Sequence, residues 1–239
     1  MLLRIPQVLS APERAGILQI LANAPAGQGW ADGRATAGPQ GALVKNNQQT
    51  PEDSLAAAKA RAVVQVALAR NSQFMAATLP KRIYPPSFNR YANSSNAFGS
   101  HIDNAVRTLP APAGDLSGVR VGYVRTDISC TLFLSEAHDY AGGELVIESA
   151  GHEQAYKLAA GDLLVYPAST VHRVNPVTQG ERIASFFWVE SMVRADAQRA
   201  LLFGLDMSIL SLREKHGESA EAVKLTGTYH NLLRMWADV

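Results

Sequence analysis

Cysteine is almost missing from this chain: Cys130 is the only one in 239 residues. An internal disulfide and a cysteine-rich zinc site are thereby excluded. The thiol lies within the apolar run Ile128-Ser129-Cys130-Thr131-Leu132-Phe133-Leu134, which predicts a buried structural group rather than a nucleophile. A surplus of charge is missing too. The net charge is +1, with neither a basic face nor a row of stacking aromatics, so no nucleic-acid partner is expected. No apolar run approaches the roughly 20 residues needed to span a bilayer. The opening Met1-Leu2-Leu3-Arg4-Ile5-Pro6 has neither the length nor the cleavage site of a signal peptide. Together these absences predict a cytoplasmic protein with no membrane partner. Internal repeats, low-complexity tracts and flexible linkers are lacking as well.

What is present is an ordinary globular composition, 47% hydrophobic and 18% charged, long enough for one well-buried domain with an appendage. Ser10-Ala11-Pro12-Glu13 reads as a capping box with an early proline, and Ile17, Leu18 and Leu21 follow at helical spacing. A helix is predicted over about 11–24. A second, over 51–70, starts at Thr50-Pro51-Glu52-Asp53, with Leu55, Val63, Val66 and Leu68 as candidate core contacts. Between the two, 42–45 reads as a short strand.

From Lys81 the period changes. Residues 82–84 and 88–91 read as extended, with Pro85-Pro86 forbidding a helix between them. Residues 92–98 form a polar loop, and 109–118, with two prolines and two glycines, form another. Seven short strands then follow at about 119–124, 128–134, 143–148, 154–158, 162–166, 171–175 and 182–189. Turn chemistry separates them, with Gly142-Gly143 read as a hairpin turn. This spacing predicts a mostly β (α+β) sandwich or jelly roll rather than a βαβ fold. Beyond Val189 the pattern is helical again, over 192–215 and 218–236. Leu201, Leu205, Ile209, Leu210 and Leu212, then Val223, Leu225, Leu232, Leu233 and Trp236, give this hairpin an apolar stripe. It would dock on the barrel or on a second copy, as a homodimer. The predicted division is a domain over 1–190, with its jelly-roll core at about 81–190, and a helical annex over 191–239.

The chemistry concentrates around Gly99-Ser100-His101-Ile102-Asp103-Asn104, read together with His172 and Arg182. His101 and Asp103 are two apart, so on an extended segment both side chains leave the same face. With His172 as third ligand they make two imidazoles and one carboxylate. That set with open positions opposite is the facial triad of non-haem Fe(II) oxygenases. Alternation over 182–188 puts Arg182, Ala184, Phe186 and Trp188 on one face. If that face is interior, Arg182 is a buried guanidinium that needs an anionic partner, and a dicarboxylate cosubstrate would supply one in bidentate geometry. Thr131, alternating with Phe133, is a further candidate to offer that cosubstrate a hydroxyl. Between Lys81 and Arg125 six basic residues (Lys81, Arg82, Arg90, Arg107, Arg120, Arg125) face only Asp103 and Asp115. With Asp103 on a metal, this region is locally positive and would favour an anionic ligand. His138, His152, His216 and His230 fit no ligand spacing and read as loop, turn or surface residues.

Nearly end to end, the sequence resembles the PKHD-type (prolyl/lysyl hydroxylase-like) Fe(II)- and 2-oxoglutarate-dependent dioxygenases of bacteria. The resemblance is carried by Gly33-Arg34-Ala35-Thr36-Ala37-Gly38, Lys45-Asn46-Asn47-Gln48-Gln49, Phe88-Asn89-Arg90-Tyr91 and His101-Ile102-Asp103-Asn104-Ala105-Val106-Arg107. It continues through Thr131-Leu132-Phe133-Leu134, Gly142-Gly143-Glu144-Leu145, His172-Arg173-Val174 and the helical tail. It implies a double-stranded β-helix of cupin type, iron at His101, Asp103 and His172, and 2-oxoglutarate with its distal carboxylate on Arg182. It also implies O2 as cosubstrate, ascorbate as a possible auxiliary reductant, and a cosubstrate contact from the Tyr91 hydroxyl. Asp103 argues for hydroxylation, since related halogenases carry a small residue there. Loop 92–97 is less glycine-rich than the family pattern, and Phe98 stands where tyrosine is frequent. Both departures are expected to bear on substrate contacts and not on the metal ligands. The prime substrate, peptidyl or small-molecule, stays open. Two other readings suit the same residues: a non-catalytic cupin-like module binding a metal or organic acid, and a zinc hydrolase. The hydrolase would need a nearby general base, and none stands out.

Overall fold

A computed structural model describes residues 1–109, 122–149 and 151–239. The chain opens with β1 (Leu3–Ile5), α1 (Ala11–Ala22), β2 (Ala31–Asp32), α2 (Pro39–Val44), β3 (Lys45–Asn46) and β4 (Gln48–Gln49). Helices α3 (Leu55–Arg70) and α4 (Ser72–Thr78) precede β5 (Pro80–Ile83), β6 (Ser87–Tyr91), β7 (Ala97–His101), β8 (Val106–Thr108) and β9 (Tyr123–Arg125). The core continues as β10 (Ile128–Phe133), β11 (Tyr140–Gly142), β12 (Leu145–Ser149), β13 (His152–Tyr156) and β14 (Leu163–Pro167). It closes with β15 (His172–Val174), β16 (Val177–Gly180) and β17 (Arg182–Ser191), before α5 (Asp196–His216) and α6 (Ala220–Trp236).

Two antiparallel sheets face each other. The larger runs β1-β14-β10-β17-β6-β4-β2, with β5 also on β17, and the smaller runs β13-β12-β15-β7-β3. From β6 on, the chain crosses repeatedly between them, with β6, β10, β14 and β17 in the larger sheet and β7, β12, β13 and β15 in the smaller, as in a jelly roll. Alternation along each strand of the larger sheet divides its side chains between two layers. Cys130, Leu132, Leu163, Val165, Phe187 and Val189 point to the side covered by α1 and α3. Phe133, Leu164 and Tyr166 point inward, against Leu145, Ile147 and Val174 of the smaller sheet. Each such buried side chain stabilises the fold by about 1.5–3 kcal/mol. Cys130, 1% exposed on the helix side, is the structural thiol that its apolar run predicts.

The helix start at Ser10 forms as predicted, with both bonds of the capping box to Glu13. Elsewhere packing departs from the pattern. Ser54, not Thr50, caps α3. That helix buries Ala57, Ala60, Val64, Ala67 and Leu68, whereas Leu55 and Val66 are exposed. Small alanines let the helix axis approach the sheet, so the buried face follows closeness of approach rather than side-chain size. Residues 39–44, where a strand was expected to begin, are helical because Pro39 fixes a first-turn φ after Gly38; only Lys45–Asn46 is extended. The predicted loop 92–98 is already β7 from Ala97. Gly142-Gly143 is not a hairpin turn: β11 pairs with β16 and β12 with β13 and β15, so the two glycines carry the chain from one sheet into another. Residues 110–118 of the predicted loop and the first half of the strand over 119–124 lie outside the described residues.

The final two helices pack on each other and on the domain through Leu79, Val193 and Leu202, joined by Tyr229, Leu232, Leu233 and Trp236. Leu201 and Leu210, counted in the sequence stripe, face solvent. Among the described residues no helix is long and apolar enough to cross a membrane.

Candidate active site

β7 and β15 are neighbours in the smaller sheet, and their register sets His101 directly opposite His172. The two rings stand 4.2 Å apart, centroid to centroid. β7 ends at His101, so Asp103 follows in irregular backbone rather than on the strand; its carboxylate still converges on the imidazoles, with Oδ2 3.8 Å from His172 Nε2. Ligand atoms of all three side chains lie within 4.8 Å of one another, and this is the group that could hold a metal ion among the described residues. Each imidazole is turned the same way. His101 Nδ1 is 2.8 Å from the Gly99 carbonyl and His172 Nδ1 is 3.1 Å from the Thr170 carbonyl. A carbonyl only accepts, so Nδ1 carries the proton and each Nε2 keeps a free lone pair for a metal. Burial, with the adjacent His172, pushes His101 down to about 4, so it is neutral at pH 7. Ser129 Oγ donates to Asp103 Oδ2 at 2.5 Å and fixes the carboxylate.

Phe98 is closer to the chemistry than its sequence position implied. Its ring stacks on His101 at 3.6 Å with planes 11° apart. The substitution at this position therefore touches a candidate metal ligand and not just the mouth of the cavity. Tyr166 meets His172 edge to face from the other side.

Arg182 begins β17, directly opposite Tyr91 on β6. It is 1% exposed, and its guanidinium lies 5.2 Å from the Tyr91 ring centroid and 5.3 Å from that of Phe133. Among the described residues none of its three nitrogens has a hydrogen-bond partner of good geometry. An unpaired buried guanidinium costs several kcal/mol, so this group fits a bidentate carboxylate ligand. Tyr140, which the sequence did not single out, has a buried hydroxyl beside Arg182; burial pushes that hydroxyl's pKa up, against the pull of the Arg182 charge. The same cavity, about 360 Å³, is lined by the triad, Tyr91, Thr131 and Arg182. Thr131 faces it from β10 and pairs with Phe186, four residues along β17 from Arg182. His138, His152, His216 and His230 are exposed and outside the site, as expected.

Of the basic residues between Lys81 and Arg125, one lines the cavity among those described. Lys81 pairs with Asp238, and Arg125 with Asp127. Arg82 donates to the Tyr123 carbonyl and Arg90 to Gln48. Arg107 does reach the cavity, and so does Lys45, whose place in the sequence gave no signal. Ser129 could have been found from alternation with Thr131.

A jelly roll presenting two imidazoles and a carboxylate beside a buried arginine is the arrangement of the 2OG-Fe(II) oxygenase superfamily, which residues 86–190 match. Residues 196–238 match the PKHD-type hydroxylase C-terminal domain. The chain belongs to the PKHD-type hydroxylases. It is 51% identical to such a hydroxylase from Polaromonas sp. and 52% identical to one from Nitrosomonas eutropha, each alignment covering all of both chains. Among solved structures it is similar to a Trichoplax adhaerens prolyl hydroxylase in complex with a peptide fragment of hypoxia inducible factor. The TM-score is 0.54 at 16% identity, over 84% of this chain and 86% of that one. The protein is thus an Fe(II)- and 2-oxoglutarate-dependent dioxygenase that hydroxylates an unidentified substrate, with O2 as co-substrate and release of succinate and CO2.

Proposed function

We propose that His101, Asp103 and His172 hold the iron, and that Arg182 receives the distal carboxylate of 2-oxoglutarate. The observation that carries this reading is the pairing of a preset triad with a buried arginine whose nitrogens all lack partners of good geometry among the described residues. Iron bound there would supply O2 activation, coupled to oxidative decarboxylation of the cosubstrate. The chain's own part is geometric. Gly99 and Thr170 carbonyls hold both imidazoles in the ligating tautomer, Ser129 orients Asp103, and Phe98 stops His101 rotating. Tyr91 and Tyr140 flank Arg182 and give the carboxylate further hydroxyl donors, and Thr131 offers the cosubstrate another. Apolar walls from Phe133, Leu145 and Val174 keep water from the reacting centre.

Residues 1–190 form the catalytic domain in this reading, and 191–239 an annex that braces it. The setting is cytoplasmic, in keeping with a lone buried thiol and a ferrous cofactor, and ascorbate assists by returning the iron to the ferrous state. Two copies associate through α5 and α6, on which Leu201, Leu210, Val223 and Met235 stay exposed.

Anaerobic titration of the apo-protein with Fe(II) and then 2-oxoglutarate tests the site. A visible metal-to-ligand charge-transfer band should appear in the wild type. Asp103→Ala and His172→Ala should lose iron binding. Arg182→Gln should keep iron yet need about 100-fold more 2-oxoglutarate, equivalent to about 2.7 kcal/mol. Unchanged iron affinity in the first two variants would sink the assignment.

A further inference from the structure

Two cations of the cavity take no part in that chemistry. Lys45 is 7% exposed, and its ammonium donates to Thr36 Oγ1 at 3.1 Å and to Gln49 Oε1 at 2.9 Å. Both partners are neutral, and an ammonium has three protons to donate, so one remains. The Arg107 guanidinium lies 4.2 Å from the Trp188 ring centroid and 4.8 Å from that of Tyr84. Its Nε is buried without a hydrogen-bond partner among the described residues. Among the described residues neither cation makes an ion pair, and Asp103 is the one carboxylate lining the cavity.

β17 shows where these charges stand. One face carries Arg182, Ala184, Phe186 and Trp188 in succession. Lys45 Nζ is 5.9 Å from the Phe186 ring and 5.2 Å from that of Phe98, and Arg107 lies over Trp188. At about 3.3 Å per residue, Phe186 is about 13 Å and Trp188 about 20 Å along the strand from Arg182. The two cations therefore sit at the opposite end of the cavity from the cosubstrate arginine. At that end Trp188 pairs with Ser129, the residue that holds Asp103, so the aromatic wall adjoins the candidate metal site. Burial and the Arg107 charge pull Lys45 down to about 8, which leaves it protonated at neutral pH.

Among the described residues the charges of the loaded site then do not balance. Fe(II) with the Asp103 carboxylate leaves one positive charge. Dianionic 2-oxoglutarate against Arg182 leaves one negative charge, and the two cancel. Lys45 and Arg107 add two partly desolvated cations, and Asp32, which acts on Lys45, lies outside the cavity lining. Two buried cations with no ion-pair partner among those residues favour the entry of something negative. The aromatic wall between them, Phe186 edge-on to Trp188, suits a flat or apolar body beside the anion.

We propose, given the oxygenase reading of this cavity, that Lys45 and Arg107, with Phe186 and Trp188 between them, form the subsite that binds an anionic prime substrate through a carboxylate or phosphate. The C–H to be hydroxylated then belongs to an acidic molecule or an acidic side chain.

Calorimetric titration of the oxygen-free protein, saturated with Fe(II) and 2-oxoglutarate, decides this. The probes are phthalate, inorganic phosphate and the neutral isostere phthalamide. Saturating 2-oxoglutarate keeps Arg182 occupied, so the probes report on the other end. Wild type should bind at least one anion saturably and phthalamide not at all. The better of the two anions tells a carboxylate from a phosphoryl substrate. Lys45→Met and Arg107→Met should each weaken binding at least tenfold, and Arg107→Lys should recover part of the loss. The charge-transfer band, recorded on every sample, reports separately on the iron and cosubstrate site. A normal band without saturable anion binding in the wild type, or with unchanged affinity in both methionine variants, overturns the subsite and leaves the oxygenase reading standing. No band in the wild type overturns that reading instead.

Discussion

Ser129 shows how much of a candidate metal site is set outside its proposed ligands. Its hydroxyl gives Asp103 a single orientation, with Oδ2 turned toward His172. Partners of this kind typically carry 10–100-fold in metal affinity. Ser129→Ala should therefore weaken Fe(II) binding by about 10–100-fold in equilibrium dialysis, with the melting temperature nearly unchanged because the substitution opens no large cavity. Wild-type iron affinity in this variant would show that Asp103 is positioned by backbone alone. The candidate ligand residues, which the fold brings together, were legible in the sequence, because His-x-Asp and a later histidine and arginine on strands are patterns of type and spacing. Tyr140 was not, because it matters only through what lies across the sheets; Phe98, Lys45 and Ser129 stood in or beside the quoted motifs, but their contacts with the candidate site show only in the fold.

The same division holds for the elements. Periodicity placed most of the strands it predicted within a residue or two, since alternation of buried and exposed side chains is a local property of an extended chain, but it missed short strands such as β11 and β16. It misread the Gly142-Gly143 junction, where the chain moves between sheets, because a turn dipeptide does not declare which strands it joins. Gly143 has φ +69°, and a Cβ there would lie 2.8 Å from Val177 Cγ2, 2.9 Å from Tyr140 Cε2 and 3.1 Å from Arg182 Cδ. Gly143→Ala should strain the backbone by about 1–2 kcal/mol and displace Tyr140 and Arg182. The expected readout is a roughly tenfold rise in the 2-oxoglutarate dissociation constant, about 1.4 kcal/mol, with Fe(II) binding in its absence unaltered. An unchanged cosubstrate affinity would mean that the strand-crossing glycine does not set the arginine's position.

For the molecule as a whole, the annex raises the question of assembly. Leu202 and Trp236 are committed to packing on the domain, while Leu201, Leu210, Val223 and Met235 are left outside. Sedimentation equilibrium should give twice the chain mass of 25.7 kDa, falling to the single-chain mass in Leu201→Glu with Met235→Glu. A single-chain mass for the wild type would refute association through these helices. The sequence by itself determined the chemistry available: which side chains can ligate iron, which can bind a dicarboxylate, and which stretches are extended or helical. Those follow from residue type and short-range spacing. Only the tertiary structure decided which charges go unpaired. Of the basic residues between Lys81 and Arg125, most find carboxylates or carbonyls at the surface, and Arg107 meets Lys45 inside the cavity. The cost of a buried charge depends on what faces it across the fold, and no local pattern encodes that.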